Sequence, residues 1–179
     1  MEFKSITDIY SANDAARRKL LEVLNAVSDD DAAATRPANE NWTIAQIAEH
    51  IAAVNEGTFR ICSKLLGKSE QQDPQPGPQP LVSSNFLDRS VEIHTIKVEA
   101  PERVRPTGKV SVADSIAKLE ENRKKFEELK PQFEQNGGNE ETFPHPFFGD
   151  ITAVEWLVMA GGHESRHTRQ IVRALEELR

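Results

Sequence analysis

The chain has 179 residues, enough for one core-bearing domain and short for two, and its 37% hydrophobic and 28% charged residues describe a globular protein with well-wetted surfaces. Twenty-nine acidic against 22 basic residues give a formal charge of -7, which works against nucleic acid as a partner, because phosphate neutralisation needs clustered Lys and Arg. No apolar run approaches the roughly 18 residues that span a bilayer, Met1-Glu2-Phe3-Lys4-Ser5 lacks the apolar core of a secretory signal, and the one cysteine, Cys62, cannot form an internal disulfide. The expectation is a single domain over residues 1–179, cytoplasmic, acting on a small molecule.

In chain order, Ile6, Ile9, Tyr10, Leu20, Leu21, Leu24 and Val27 predict a first helix from about Ser5 to Val27, ended by Ser28 and the aspartates that follow. Thr43 and Gln46 have the spacing of a capping box, with Trp42 and Ile47 as a hydrophobic staple, so a second helix starts there and runs through Phe59, Ile61 and Leu65 to Gly67. Periodicity then fails from Lys68 to Lys109, and Asp73-Pro74-Gln75-Pro76-Gly77-Pro78-Gln79-Pro80 cannot be helical. A connection this long suits a crossover along a bundle, with Val91, Ile93, Ile96 and Val98 pinning part of it, in a short strand if any. Ser111 caps a third helix carrying Ile116, Leu119, Phe126 and Leu129, closed by Asn136-Gly137-Gly138-Asn139. Thr152 and Glu155 form a second capping box, and Ile151 and Trp156 a second staple, at the start of the last helix. The fold class is therefore all-α: a four-helix bundle with a long crossover between the second and third helices. The amphipathic first and third helices are compatible with a homodimer.

His163 and His167 lie one turn apart on the last helix, so both rings leave one face and can reach one metal ion. They fall within the stripe Trp156, Ala160, Ile171, Ala174 and Leu178, which points them at the core. His50 stands beside the Ile44, Ile47, Ile51, Val54 stripe of the second helix. Three inward histidines from two helices make a three-nitrogen site with one tetrahedral position open, the arrangement of catalytic rather than structural zinc.

The chain resembles the DinB superfamily, the DinB/YfiT-like metalloenzymes. The resemblance rests on Trp42-Thr43-Ile44-Ala45-Gln46-Ile47-Ala48-Glu49-His50, on Ala100-Pro101 and Pro106-Thr107-Gly108, on His145-Pro146-Phe147-Phe148-Gly149 leading into Thr152-Ala153-Val154-Glu155-Trp156-Leu157, and on His163 and His167 followed by Gln170-Ile171. It covers essentially the whole chain in order. It implies a four-helix bundle holding a divalent metal, often nickel or zinc, through His50, His163 and His167. It also implies a similarity to thiol-dependent transferases and isomerases that use a low-molecular-weight thiol such as bacillithiol or mycothiol.

Each feature also has a plainer reading. The histidines could be core residues bonded to backbone carbonyls, yet three polar rings near apolar stripes are better explained by coordination, which offsets their desolvation. Residues 163–167 read His-Glu-Ser-Arg-His, which is not the metalloprotease signature. His145 is preferred as a turn-fixing residue over a pocket donor, and His94 as a surface residue. Glu49 and Glu164 each neighbour a proposed ligand and are candidates for supporting it or for a general base, against a solvated helix-face carboxylate. Phe147 and Phe148 read as core before pocket wall. Cys62 reads as a buried inert thiol, roughly 18 Å along the helix from His50. The charged run Glu120 to Lys130 reads as a solvated face. A metal held by the three histidines would let water or a thiol lose its proton near neutral pH. S-transfer to a small electrophile is favoured on the resemblance; the alternatives are a metal-dependent hydrolase and a non-catalytic metal-binding or stress-associated bundle.

Overall fold

The computed structural model describes residues 3–36, 41–69, 81–93, 96, 98–137 and 141–176. The proline-rich stretch, His94 and Leu178 lie outside these residues.

Local chemistry sets the helix starts. Ser5 caps α1 (Ile6–Asn25) by accepting from the Asp8 amide, and Ser28, rather than simply ending that helix, caps the short α2 (Asp29–Ala34). In α3 (Ile44–Ser69) the capping box is complete: the Thr43 amide donates to Gln46 Oε1 at 2.9 Å and the Gln46 amide to Thr43 Oγ1 at 3.3 Å. The helix continues past Gly67, because a glycine inside an otherwise helical run weakens it without ending it. Ser111 caps α5 (Val112–Asn136), which closes on Gly137 in the left-handed region at φ 68°. Thr152 and Glu155 make the second box, at 3.0 and 3.2 Å, and open α6 (Ala153–Glu176).

Two elements depart from the sequence expectation. Within the crossover, where the sequence shows no periodicity, the described residues form no strand but a helix, α4 (Ser84–Glu92), its Ser83 cap tied by amide and hydroxyl to Glu155 Oε1 of α6 at 3.0 and 2.5 Å. Phe86 on its inner face is buried, while Val91 is 72% exposed. The second departure is a hairpin of β1 (Thr142–His145) and β2 (Gly149–Thr152), antiparallel with His145 opposite Gly149. Pro144 inside β1 argues against a strand by sequence, but a ribbon edge tolerates proline. A 3-10 turn spans Glu102–Val104.

The four long helices pack in the cyclic order α1, α6, α3, α5. One hydrophobic cluster joins Ile9 and Tyr10 from the start of α1 and Trp156 and Leu157 from the start of α6 to Leu65, Leu66 and Phe133 near the ends of α3 and α5. The other joins Leu20, Leu24 and Ile171 to Ile44, Ile47 and Val112. Hence α1 and α6 run one way and α3 and α5 the other. Two neighbouring parallel helices need a connection spanning the bundle, and 26 residues of α3 rise about 39 Å at 1.5 Å per residue; the long crossover follows from this direction.

Between the clusters lies a buried polar layer. Arg17 donates from Nε to Glu164 Oε2 at 2.9 Å, from Nη1 to the Leu119 carbonyl at 2.6 Å and from Nη2 to Asn55 Oδ1 at 2.9 Å, and pairs with Glu164 Oε1 as well. Asn55 donates to Glu164 Oε1 at 2.9 Å. Each long helix contributes a side chain or a carbonyl to this layer.

Candidate metal centre and its cavity

Because α3 and α6 are antiparallel neighbours, His50 in the first third of α3 faces the middle of α6. His163 Nε2 stands 3.1 Å from His50 Nε2 and 3.1 Å from His167 Nε2, and one nitrogen from each ring falls within 4.8 Å of the others. All three histidines singled out in the sequence are thus brought together. His163 and His167 lie on the flank of the α6 stripe, toward a cavity that His50 also lines, and it is Glu164 that enters the bundle interior, a correction to their expected core-facing direction.

The outer ring nitrogens set what the inner ones can do. His50 Nδ1 donates to the Val104 carbonyl at 2.8 Å and His167 Nδ1 to Gln170 Oε1 at 2.7 Å, which leaves a lone pair on each Nε2. Burial, chiefly, holds all three rings below the usual histidine range. In His50 the Val104 carbonyl opposes this and Arg166 adds to it; in His163 the charges of His167, His50 and Arg166 add to it; His167 is lowered to about 3. The neutral His163 has one proton for two lone-pair neighbours, and its Nδ1 is buried with no partner among the described residues. No placement of that proton satisfies the cluster. A divalent cation would satisfy all three Nε2 atoms: three lone pairs at metal distances of about 2.0–2.1 Å in a tetrahedral set lie roughly 3.3 Å apart, close to the 3.1 Å from His163 Nε2 to each of the other two. The residues therefore fit such an ion.

Supports for these rings come from the crossover. The Glu49 carboxylate accepts from the Thr107 amide (2.9 Å) and hydroxyl (2.8 Å) and from the Gly108 amide (2.9 Å). Gly108, at φ 72°, packs where an added Cβ would lie 3.1 Å from the Gln46 side chain. Glu49 is thus no solvated carboxylate: it holds the segment that presents the Val104 carbonyl to His50. Trp42 lies against the His50 ring, with centroids 4.9 Å apart. Val104 and Gln170 carried no assigned role in the sequence reading; Gln170 has a visible signal, three residues after His167, while a backbone carbonyl has none.

The histidines line a cavity of about 810 Å³ whose wall includes Phe86, Ile93, Phe143, Phe148 and Trp156. His145 combines both readings weighed for it. Its Nδ1 accepts from the Phe147 and Phe148 amides at 3.1 and 3.2 Å, fixing the hairpin turn, and its ring lines the cavity. Burial, helped by Arg103, lowers its pKa to about 4. Phe148 is likewise both core, stacked on Phe86 at 4.7 Å, and cavity wall. Glu164 approaches neither imidazole nor water, being held by Arg17 and Asn55. Cys62 is fully buried, its thiol directed to the Ala153 carbonyl and its pKa raised by burial, as an inert thiol should be. The Glu120–Lys130 run carries the exposed-face ion pairs Arg123–Glu120 and Lys125–Glu121.

Fold and site define a helical bundle with a three-histidine cluster beneath a largely apolar cavity. The model of the DinB superfamily matches residues 12–171, and the chain belongs to that family. It is similar to the uncharacterized protein YuaE of Bacillus subtilis (strain 168), at 21% identity over 169 residues, covering 91% of this chain and 94% of YuaE. The crystal structure of TT2238, a four-helix bundle protein, superposes with a TM-score of 0.59 at 21% identity, over 94% of this chain and 98% of the other. Among the described residues no helix is long and apolar enough to cross a membrane.

Proposed function

We propose that the chain is a metal-dependent enzyme in which His50, His163 and His167 hold one zinc or nickel ion, and that it transfers a low-molecular-weight thiol to a small electrophile. The observation carrying this reading is the convergence of three ring nitrogens, His163 Nε2 standing 3.1 Å from the Nε2 of each of the other two, on the wall of a cavity sized for a small molecule. When bound, the ion would lower the pKa of a coordinated thiol and draw electron density from a reacting group.

The chain's own groups do the rest. Val104 and Gln170 hold the His50 and His167 rings in the tautomer that leaves Nε2 free. The aromatic wall of Phe143, Phe148 and Trp156 excludes water from the reacting pair, and His145, neutral at pH 7, offers Nε2–H as a hydrogen-bond donor to substrate. Glu164 takes no part in the chemistry.

The test is elemental analysis of protein purified without a nickel column, for the native chain, His50→Ala and His163→Ala, followed by a screen of thiols against electrophiles. About one zinc or nickel per chain, lost in both variants with helicity kept, is the expected result. Metal retained by both variants, or absent from the native chain, overturns the centre. Turnover of esters with no thiol present would replace S-transfer by hydrolysis.

A further inference from the structure

Charge in the cavity is one-sided. Arg60, Arg103, Arg166 and Arg169 line it, against Glu99 as the sole carboxylate among its described lining residues, in a chain of formal charge -7. Arg60 is engaged by Glu56 at 2.8 Å, and Glu99 leans out toward Arg105 at 3.8 Å with its side chain 90% exposed. Arg103 and Arg169 carry no ion pair among the described residues. Arg103 precedes Val104, and its charge acts on His145, whereas Arg169 lies 13 residues, about 20 Å, along α6 from the Trp156 on which the His145 ring packs. His145 adds a directional group. Because its Nδ1 accepts two amide hydrogens, its proton is on Nε2, so the ring can only donate. The charged side chains left to meet a ligand are therefore cations, joined by one fixed donor in His145, beside an aromatic wall.

We propose that this cavity selects a small amphipathic anion, with a carboxylate, sulfonate or phosphate group received by Arg103 and the His145 Nε2–H, and an apolar body lying against Phe143, Phe148 and Trp156. A guanidinium fork suits such oxyanions, and positive charge at the exposed mouth of the cavity draws an anion in from solution. This names the substrate class for the proposed enzyme, and rests on that reading only in calling the ligand a substrate.

The experiment uses the full chain freed of metal with EDTA, so that a bound cation cannot itself attract the anion. Fluorescence titration compares 1-anilinonaphthalene-8-sulfonate with N-phenyl-1-naphthylamine, the same ring skeleton without the sulfonate. The native chain should prefer the sulfonate, and Arg103→Gln should weaken it about five- to tenfold, with the uncharged compound unaffected. Arg18→Gln, an exposed arginine away from the cavity, should change neither. Equal affinity for the two compounds, no binding of the sulfonate, or an equal loss in Arg18→Gln overturns the proposal. Since the readout is binding to metal-free protein, failure of the metal centre leaves this result standing, and failure here leaves the metal content untouched.

Discussion

His163 and Glu164 are consecutive residues on one helix, and they have opposite fates. Glu164 turns into the bundle, where Arg17 and Asn55 satisfy both carboxylate oxygens, and the Arg17 fork spends its remaining donors on Asn55 and the Leu119 carbonyl. His163 turns to the cavity, where its Nε2 faces two other lone pairs and its Nδ1 has no partner among the described residues. Both regions are buried and polar, so burial alone does not separate structure from function. What separates them is closure: the Arg17–Glu164 layer is complete in protein atoms, while the histidine cluster needs something the protein does not supply.

The sharpest way to break this comparison is Glu164→Ala, which leaves the Arg17 guanidinium buried without its carboxylate. It should cost about 3–5 kcal/mol in urea unfolding, whereas the Arg17→Met, Glu164→Leu pair should recover most of that loss. A cost under about 1 kcal/mol would remove the layer from its structural role. Next in size is His163→Ala in metal-free protein, expected to cost less than about 2 kcal/mol, since the ring makes no completed hydrogen bond that its removal strands; metal content is nevertheless expected to fall to zero.

Acid should also separate the regions. The three site histidines have folded pKa values lowered by burial, so below about 6.5 the unfolded chain binds protons that the folded chain refuses. Their contribution is thus fully present above that value and is lost as pH falls, for His167 down to about 3. The urea midpoint of metal-free protein should drop between pH 7.5 and pH 5, and less steeply in His167→Ala. An unchanged slope in that variant would mean that the cluster is not the origin. The smallest effect is expected from Glu49→Gln, which weakens the hold on Thr107 and Gly108 and so loosens the Val104 carbonyl on His50. Zinc affinity should fall about tenfold by competition with a chelator, with the circular dichroism spectrum unchanged.

The helix starts were legible because a cap is a local hydrogen bond: Ser5, Thr43, Ser111 and Thr152 each act on an amide three residues on. The His163–His167 pair was legible for the same reason, one turn being a property of the backbone. The bundle followed from apolar stripes, and the long crossover from a stretch that could not be helical. Tertiary structure decided the rest. Arg17 finds Glu164 across 147 residues and Asn55 across 38, so no window of sequence joins them, and an acidic residue beside a ligand looks the same whether it will face water, metal or arginine. Helix α4 and the hairpin are short, and α4 is tied to Glu155 and the core as much as to its own periodicity. Sequence alone set which residues can form helices and share a face; which faces meet, which carbonyl reaches His50 and which polar group is left unsatisfied depend on contacts between distant segments, whose free energy exists only once the chain has packed.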